Sequence, residues 1–252
     1  LVNPEIRKQK ILEQVQNLAR EAGGLVEEDS ELLSIVNYLV EFPVAIRGDF
    51  DSHFLELPKE LLVMTMKYHQ KYFPVTDGKG NLLPCFITIS NMPAGEGQEI
   101  KKGNERVLRA RLEDARFFYN EDKKKNLDDF VEPLKGVVFQ KKLGTLYEKM
   151  ERICGLSGIL STHTCPDKKS QALRAGRLCK ADLVTLMVYE FPELQGVMGG
   201  YYAAHSGEES IVSQAILEHY RPAFAGDDLP ASELGTVIAV ADKLDTILGC
   251  IG

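Results

Sequence analysis

Apolar residues recur at helical spacing near the start of the chain. Ile11, Val15, Leu18 and Ala22 lie on one face, Asn3 and Pro4 supply a cap and a first helical position, and Gly23-Gly24 supplies a stop. A second stripe, Leu32, Val36 and Leu39, follows Ser30 and ends before Pro43. Residues 44–57 read as mixed and extended with a Gly48-Asp49 turn, and Pro58 opens a third helix to about Gln70. The period then shortens. Residues 72–76 and 83–90 alternate as two strands around Asp77-Gly78-Lys79-Gly80-Asn81, a hairpin signal. Residues 91–97, with Pro93, Gly95 and Gly97, form the best candidate boundary, which divides the chain into 1–95 and 96–252. Beyond it the pattern is helical. Asn104 is read as the cap of a helix with the stripe Leu108, Leu112, Ala115 and Tyr119, and further helices are expected near 127–142, 143–161, 167–190, 208–220 and 232–249. The expected fold is mainly α, with a small α+β part at the N-terminal side and an all-helical C-terminal side.

Composition narrows the function classes. Of 252 residues, 44% are hydrophobic and 27% charged, which suits a globular chain and excludes a disordered one. No apolar run approaches the roughly 20 residues of a membrane span, and no signal peptide is visible. The five cysteines are scattered without a C-x-x-C pair, which argues against a zinc knuckle or a disulfide framework and for a reducing cytoplasm. The chain opens on Leu1 and stops at Gly252 inside a motif, so a fragment of a longer protein is expected. The formal net charge of -7 argues against a generic nucleic-acid binder and leaves room for a local basic face.

Three ionisable residues fall where a core should be. Asp182 shares a helical stripe with Ala175, Cys179 and Leu186; His219 follows Val212 and Ala215; Asp245 shares a stripe with Leu234, Ile238, Ala241 and Leu248, and Asp242 lies on the adjoining face. Buried carboxylates require a cation, donors or a metal. Imidazole and carboxylates on separate helices can bind a transition metal, and the order of these residues resembles the HD-domain phosphohydrolases. The His-Asp pair of that superfamily falls on Ala181-Asp182, however, so a methyl group replaces one ligand, and no His occurs between His69 and His163. The expectation is no metal, and a vestigial site in which Asp182, His219 and Asp242 bond to one another or to lysines. Elsewhere, Lys101, Lys102, Arg106, Arg109 and Arg116 cluster on or near one helical face and could track phosphates, though Glu105, Glu113 and Asp114 interleave with them and could pair with them instead.

Several long strings resemble one family. They are residues 56–60 leading to His69-Gln70-Lys71-Tyr72-Phe73, residues 103–112 running to 114–119, Phe139-Gln140-Lys141-Lys142-Leu143-Gly144-Thr145, Lys180-Ala181-Asp182-Leu183-Val184-Thr185, Phe191-Pro192-Glu193-Leu194-Gln195-Gly196, and Ala241-Asp242-Lys243-Leu244-Asp245. This pattern resembles the β subunit of the bacterial two-subunit glycyl-tRNA synthetase. The resemblance implies an α2β2 enzyme that joins glycine to tRNA(Gly), with the class II active site, ATP and Mg on the α subunit. This chain would then be a non-catalytic, cytoplasmic part without a cofactor of its own. Its first segment would be similar to the editing-type region of the phenylalanine enzyme's β subunit, and a degenerate HD-like helical domain would follow. The alternatives are a metal-dependent HD-type phosphohydrolase and a scaffold that only holds the α subunit.

Overall fold

The computed structural model describes residues 2–92 and 97–251; the boundary expected between 95 and 96, and Glu96, lie outside the described residues. The chain divides into two compact units, 1–117 and 118–252. It is mainly α, with a small sheet at the N-terminal side and helices towards the C-terminus. Among the described residues no helix is long and apolar enough to cross a membrane.

In the first unit, α1 (Pro4–Glu21) starts as its sequence dictates: Asn3 Oδ1 accepts from the amides of Glu5 and Ile6, and Pro4 fills the first turn. Its Ile11, Val15 and Ala19 pack on Leu32, Leu33 and Val36 of α2 (Ser30–Leu39) and on Phe73, Val75, Cys85 and Ile87 of a sheet. The sheet is antiparallel, in the order β1 (Val44–Asp49), β3 (Leu82–Ser90), β2 (Phe73–Thr76). The β2–β3 turn is held by Asp77, whose carboxylate accepts from the amides of Lys79 and Asn81. The Gly48-Asp49 turn does not form. Gly48 lies inside β1 opposite Phe86, whose ring occupies the space a Cβ would need, 2.3 Å away. The third helix is cut short: α3 (Lys59–Met64) passes into a π turn over Thr65–His69. The long helix α4 (Gly97–Asp122) starts seven residues before the expected cap. Asn104 is interior to it, donating to the Ile100 carbonyl and accepting from the Tyr72 hydroxyl.

In the second unit the run expected as one helix over 127–142 is two 3-10 turns, Leu127–Phe130 and Glu132–Gly136, and a hairpin of β4 (Val138–Gln140) and β5 (Gly144–Thr145). Pro133 has no amide hydrogen for a helix interior, and Val137-Val138-Phe139 favours an extended backbone. The helices α5 (Leu146–Thr164), α6 (Lys169–Leu178), α7 (Leu186–Glu190), α8 (Val197–His205), α9 (Ser210–Glu218) and α10 (Glu233–Ile251) make up the rest. The helix expected over 167–190 is broken, with a 3-10 turn at Ala181–Val184 between α6 and α7. No Gly or Pro marks that break. Thr185 restarts the helix by accepting from the Val188 amide, and Asp122 satisfies the amides of Leu186 and Met187.

Candidate functional site: a buried charge network and a basic helix face

The break between α6 and α7 places Lys180 and Asp182 at the centre of the second unit. Asp182 is fully buried, as expected, but by a different route. It sits in a 3-10 turn and not on a continuous stripe, and Leu186 is exposed. Its expected pairing with His219 or a lysine is also corrected. Asp182 Oδ2 accepts from the amides of Gly196, at 2.6 Å, and Gly199, at 3.0 Å. Only glycine fits here. Gly196 has φ of +79°, and a Cβ on Gly199 would come within 3.0 Å of the carboxylate. Burial raises the Asp182 carboxyl to about 6, against the two amides and the field of Lys180, which pull it down.

The imidazole and the other carboxylate meet through a residue that the sequence reading did not single out. Lys180 Nζ lies 3.0 Å from His219 Nε2 and donates to Asp242 Oδ2 at 2.7 Å. The ring of Tyr220 covers it at 3.9 Å. His219 caps α9, and its Nδ1 lies 2.5 Å from the Ile216 carbonyl. Burial, then the neighbouring Lys180 charge, lowers His219 to about 3. Burial, the largest single influence, would raise Asp242; the charge and hydrogen bond of Lys180, with His219 and Lys149, together more than offset it and leave the carboxyl at about 2. The network continues along α10 and α5. Lys149 bridges Asp242 Oδ1 and Asp245 Oδ2, each at 3.0 Å, and Arg152 binds Asp245. A signal for both lysines was present. Lys149 precedes the buried Ile153 and Ser157 at spacings of four, and Lys180 follows the buried Ala172 and Gly176 in the same way.

These residues do not fit a metal. Ala181 offers only a methyl group, Asp182 spends an oxygen on two backbone amides, and an ammonium lies between His219 and Asp242. Among the described residues no three His, Cys, Asp or Glu side chains gather closely enough to share an ion.

The five basic residues of the first unit separate into two groups. Lys101 binds Asp49 at 2.6 Å and Glu105 at 3.5 Å, Lys102 reaches Glu99 at 3.4 Å, and Arg116 binds Glu113 at 2.5 Å and lies over the Phe54 ring. The Lys101 pair belongs to a cluster in which Arg47 also binds Asp49. Burial would raise the Asp49 carboxyl, but Lys101 and Arg47 together hold it low. Arg106 and Arg109 are exposed one turn apart and make no hydrogen bond or ion pair to a described residue.

A family model described as glycyl-tRNA synthetase beta subunit matches residues 1–252. The chain belongs to the glycyl-tRNA synthetase beta subunit family. The glycine–tRNA ligase beta subunit of Trichlorobacter lovleyi is 53% identical over 252 residues, which are 100% of this chain and 37% of that protein. The one from Geobacter sulfurreducens is 51% identical over 250 residues, 99% of this chain and 36% of the relative. The one from Moorella thermoacetica is 50% identical over 254 residues, again 100% and 37%. The chain thus spans a little over a third of the length of these family members. Both the buried network and the Arg106–Arg109 face lie inside the part of the family shared at about this identity.

Proposed function

We propose that this chain is a non-catalytic, tRNA-handling part of a glycine–tRNA ligase β subunit. In this reading it supports tRNA(Gly) binding and assembly for the ATP-dependent glycylation of that tRNA in the cytoplasm. The observation that carries the reading is the family match along the whole chain, to relatives named as beta subunits of this ligase. The active site, with ATP and Mg, belongs to the α subunit, and the two associate as α2β2. The face of α4 that carries Arg106 and Arg109 contacts RNA phosphate. Two guanidiniums that make no hydrogen bond or ion pair to a described residue, Arg109 only lending its charge to the exposed Asp51, can each donate a forked pair of hydrogen bonds to a phosphate. The acidity of the remainder of the chain repels RNA from other faces, so these arginines orient the RNA without bulk attraction. Lys102 acts as a weaker contributor from an exposed ion pair, worth less than about 1 kcal/mol, and Lys101 and Arg116, in half-buried pairs, contribute least.

The test is Arg106→Glu with Arg109→Glu in the full assembly. Aminoacylation should fall through a raised KM for tRNA, with glycine-dependent ATP–pyrophosphate exchange and the melting temperature unchanged. A folded double variant that charges tRNA at the parental rate would place the RNA surface elsewhere.

A further inference from the structure

We propose that the Lys180 ammonium stands in for a metal ion, held by a pair of ligands, His219 and Asp242, that the fold still presents. The argument begins with the imidazole. A backbone carbonyl only accepts, so His219 Nδ1, 2.5 Å from the Ile216 oxygen, must carry the ring proton. The lone pair of Nε2 is then directed at whatever lies before it, which is Lys180 Nζ at 3.0 Å. A histidine that binds a metal has this same arrangement, one nitrogen bare and the other donating to a carbonyl or carboxylate that fixes the tautomer.

The carboxylate repeats the logic. Asp242 accepts from Lys180 through Oδ2 at 2.7 Å, while its Oδ1 takes no hydrogen bond and lies 3.0 Å from Lys149 Nζ as an ion pair. One oxygen thus holds the cation and the other keeps a lone pair uncommitted. The spacing differs where the occupant differs. Hydrogen bonds of 2.7 and 3.0 Å stand where metal–ligand bonds would be roughly 2.0–2.2 Å, the spacing that a tethered ammonium requires. Tyr220 closes another side at 3.9 Å, with the negative face of its ring turned to the charge. Lys180 itself is 2% exposed. A lysine buried to this degree is tolerated only where its charge is met, and here an anion, a lone pair and a ring meet it.

The consequence is a centre whose cation is encoded in the chain. It cannot be chelated, and it has no open position at which a water could be activated. The packing of α6, α9 and α10 is then independent of metal supply.

The test uses the full-length protein. Lys180→Ala leaves His219 and Asp242 facing an empty volume, and should lower the melting temperature in EDTA by about 10 °C. Excess manganese(II), chosen because the exposed Cys250 thiol would compete for zinc, should recover at least half of that loss. The parent should respond to neither EDTA nor manganese, and Lys180→Ala with His219→Ala should lose the recovery. No recovery in the single variant, equal recovery in the double variant, or a manganese shift in the parent would each overturn the proposal. If the single variant does not fold, nitrogen-15 NMR of the parent decides: His219 should be neutral with its proton on Nδ1, and a proton on Nε2 would overturn the assignment.

Discussion

Two regions of the molecule, the outer face of α4 and the interior of the second unit, treat positive charge in opposite ways. In residues 1–117, Arg106 and Arg109 stand on the outside of α4, and Lys102 reaches Glu99 of its own helix. In residues 118–252, Lys149 and Lys180 are 4% and 2% exposed and are tied to Asp242, Asp245 and His219. The chemistry of the side chain is similar, but the surroundings reverse its role. An exposed cation keeps its hydration and remains available to a partner's phosphate, and it adds little to stability. A buried cation has lost that hydration and is committed to its internal acceptors, so it becomes part of the framework. The first arrangement is suited to binding, and the second to holding helices in register.

That contrast can be broken most directly at Lys149. Lys149→Met leaves Asp242 and Asp245 buried without their shared cation, and should cost about 3–5 kcal/mol in urea unfolding. A loss below about 1 kcal/mol would mean that the network is solvated.

Asp182→Ala removes the acceptor of the Gly196 and Gly199 amides and should cost about 2–4 kcal/mol. A variant that melts like the parent would place this carboxylate outside the framework. Gly48→Ala tests the first unit's interior on the same scale: its Cβ meets the fully buried Phe86 ring, so a loss of about 1–3 kcal/mol is expected, with no change in tRNA binding.

Acid sharpens the comparison. The pKa of His219 is lowered in the folded state from 6.5 to about 3, so the native chain binds fewer protons than the unfolded one. The stability tied to His219 is complete above pH 6.5 and is lost as the pH falls towards 3. Asp182, raised from 3.8 to about 6, acts in the opposite sense: its penalty is complete above pH 6 and is relieved on acidification to about 3.8. Asp242, lowered to about 2, adds a loss only below pH 3.8. His219→Gln should therefore lose less stability than the parent between pH 7 and pH 4.5, by on the order of 2 kcal/mol. Urea midpoints at the two pH values check this, and parallel losses would remove His219 from the account. The smallest effect belongs to the exposed cations. Arg106→Ala and Arg109→Ala should each change stability by less than about 0.5 kcal/mol.

Local patterns were legible where the deciding interactions are local. The cap and first turn of α1, the two strands about the Asp77 turn, and the apolar stripe of α10 as far as Asp245 are set by residues within a few positions of one another, while Leu248, expected to continue that stripe, is exposed. The burial of Asp182, His219 and Asp245 was legible too, because each follows apolar neighbours along the chain. The family was written in long strings that no periodicity explains.

What those buried groups bond to was decided by the tertiary structure. The sequence alone offered His219 or a nearby lysine as a partner for Asp182. The fold gave Asp182 to two backbone amides 14 and 17 residues away, and gave His219 to a lysine 39 residues away. The break between α6 and α7 has the same origin. It occurs where no Gly or Pro demands it, since Asp122, 64 positions before Leu186, receives the amides of the restarted helix. The physical reason is one of range. Capping, turns and amphipathic stripes are settled over a few residues, whereas a buried charge selects among all acceptors that folding brings within about 3 Å, and that set exists only after the helices have packed.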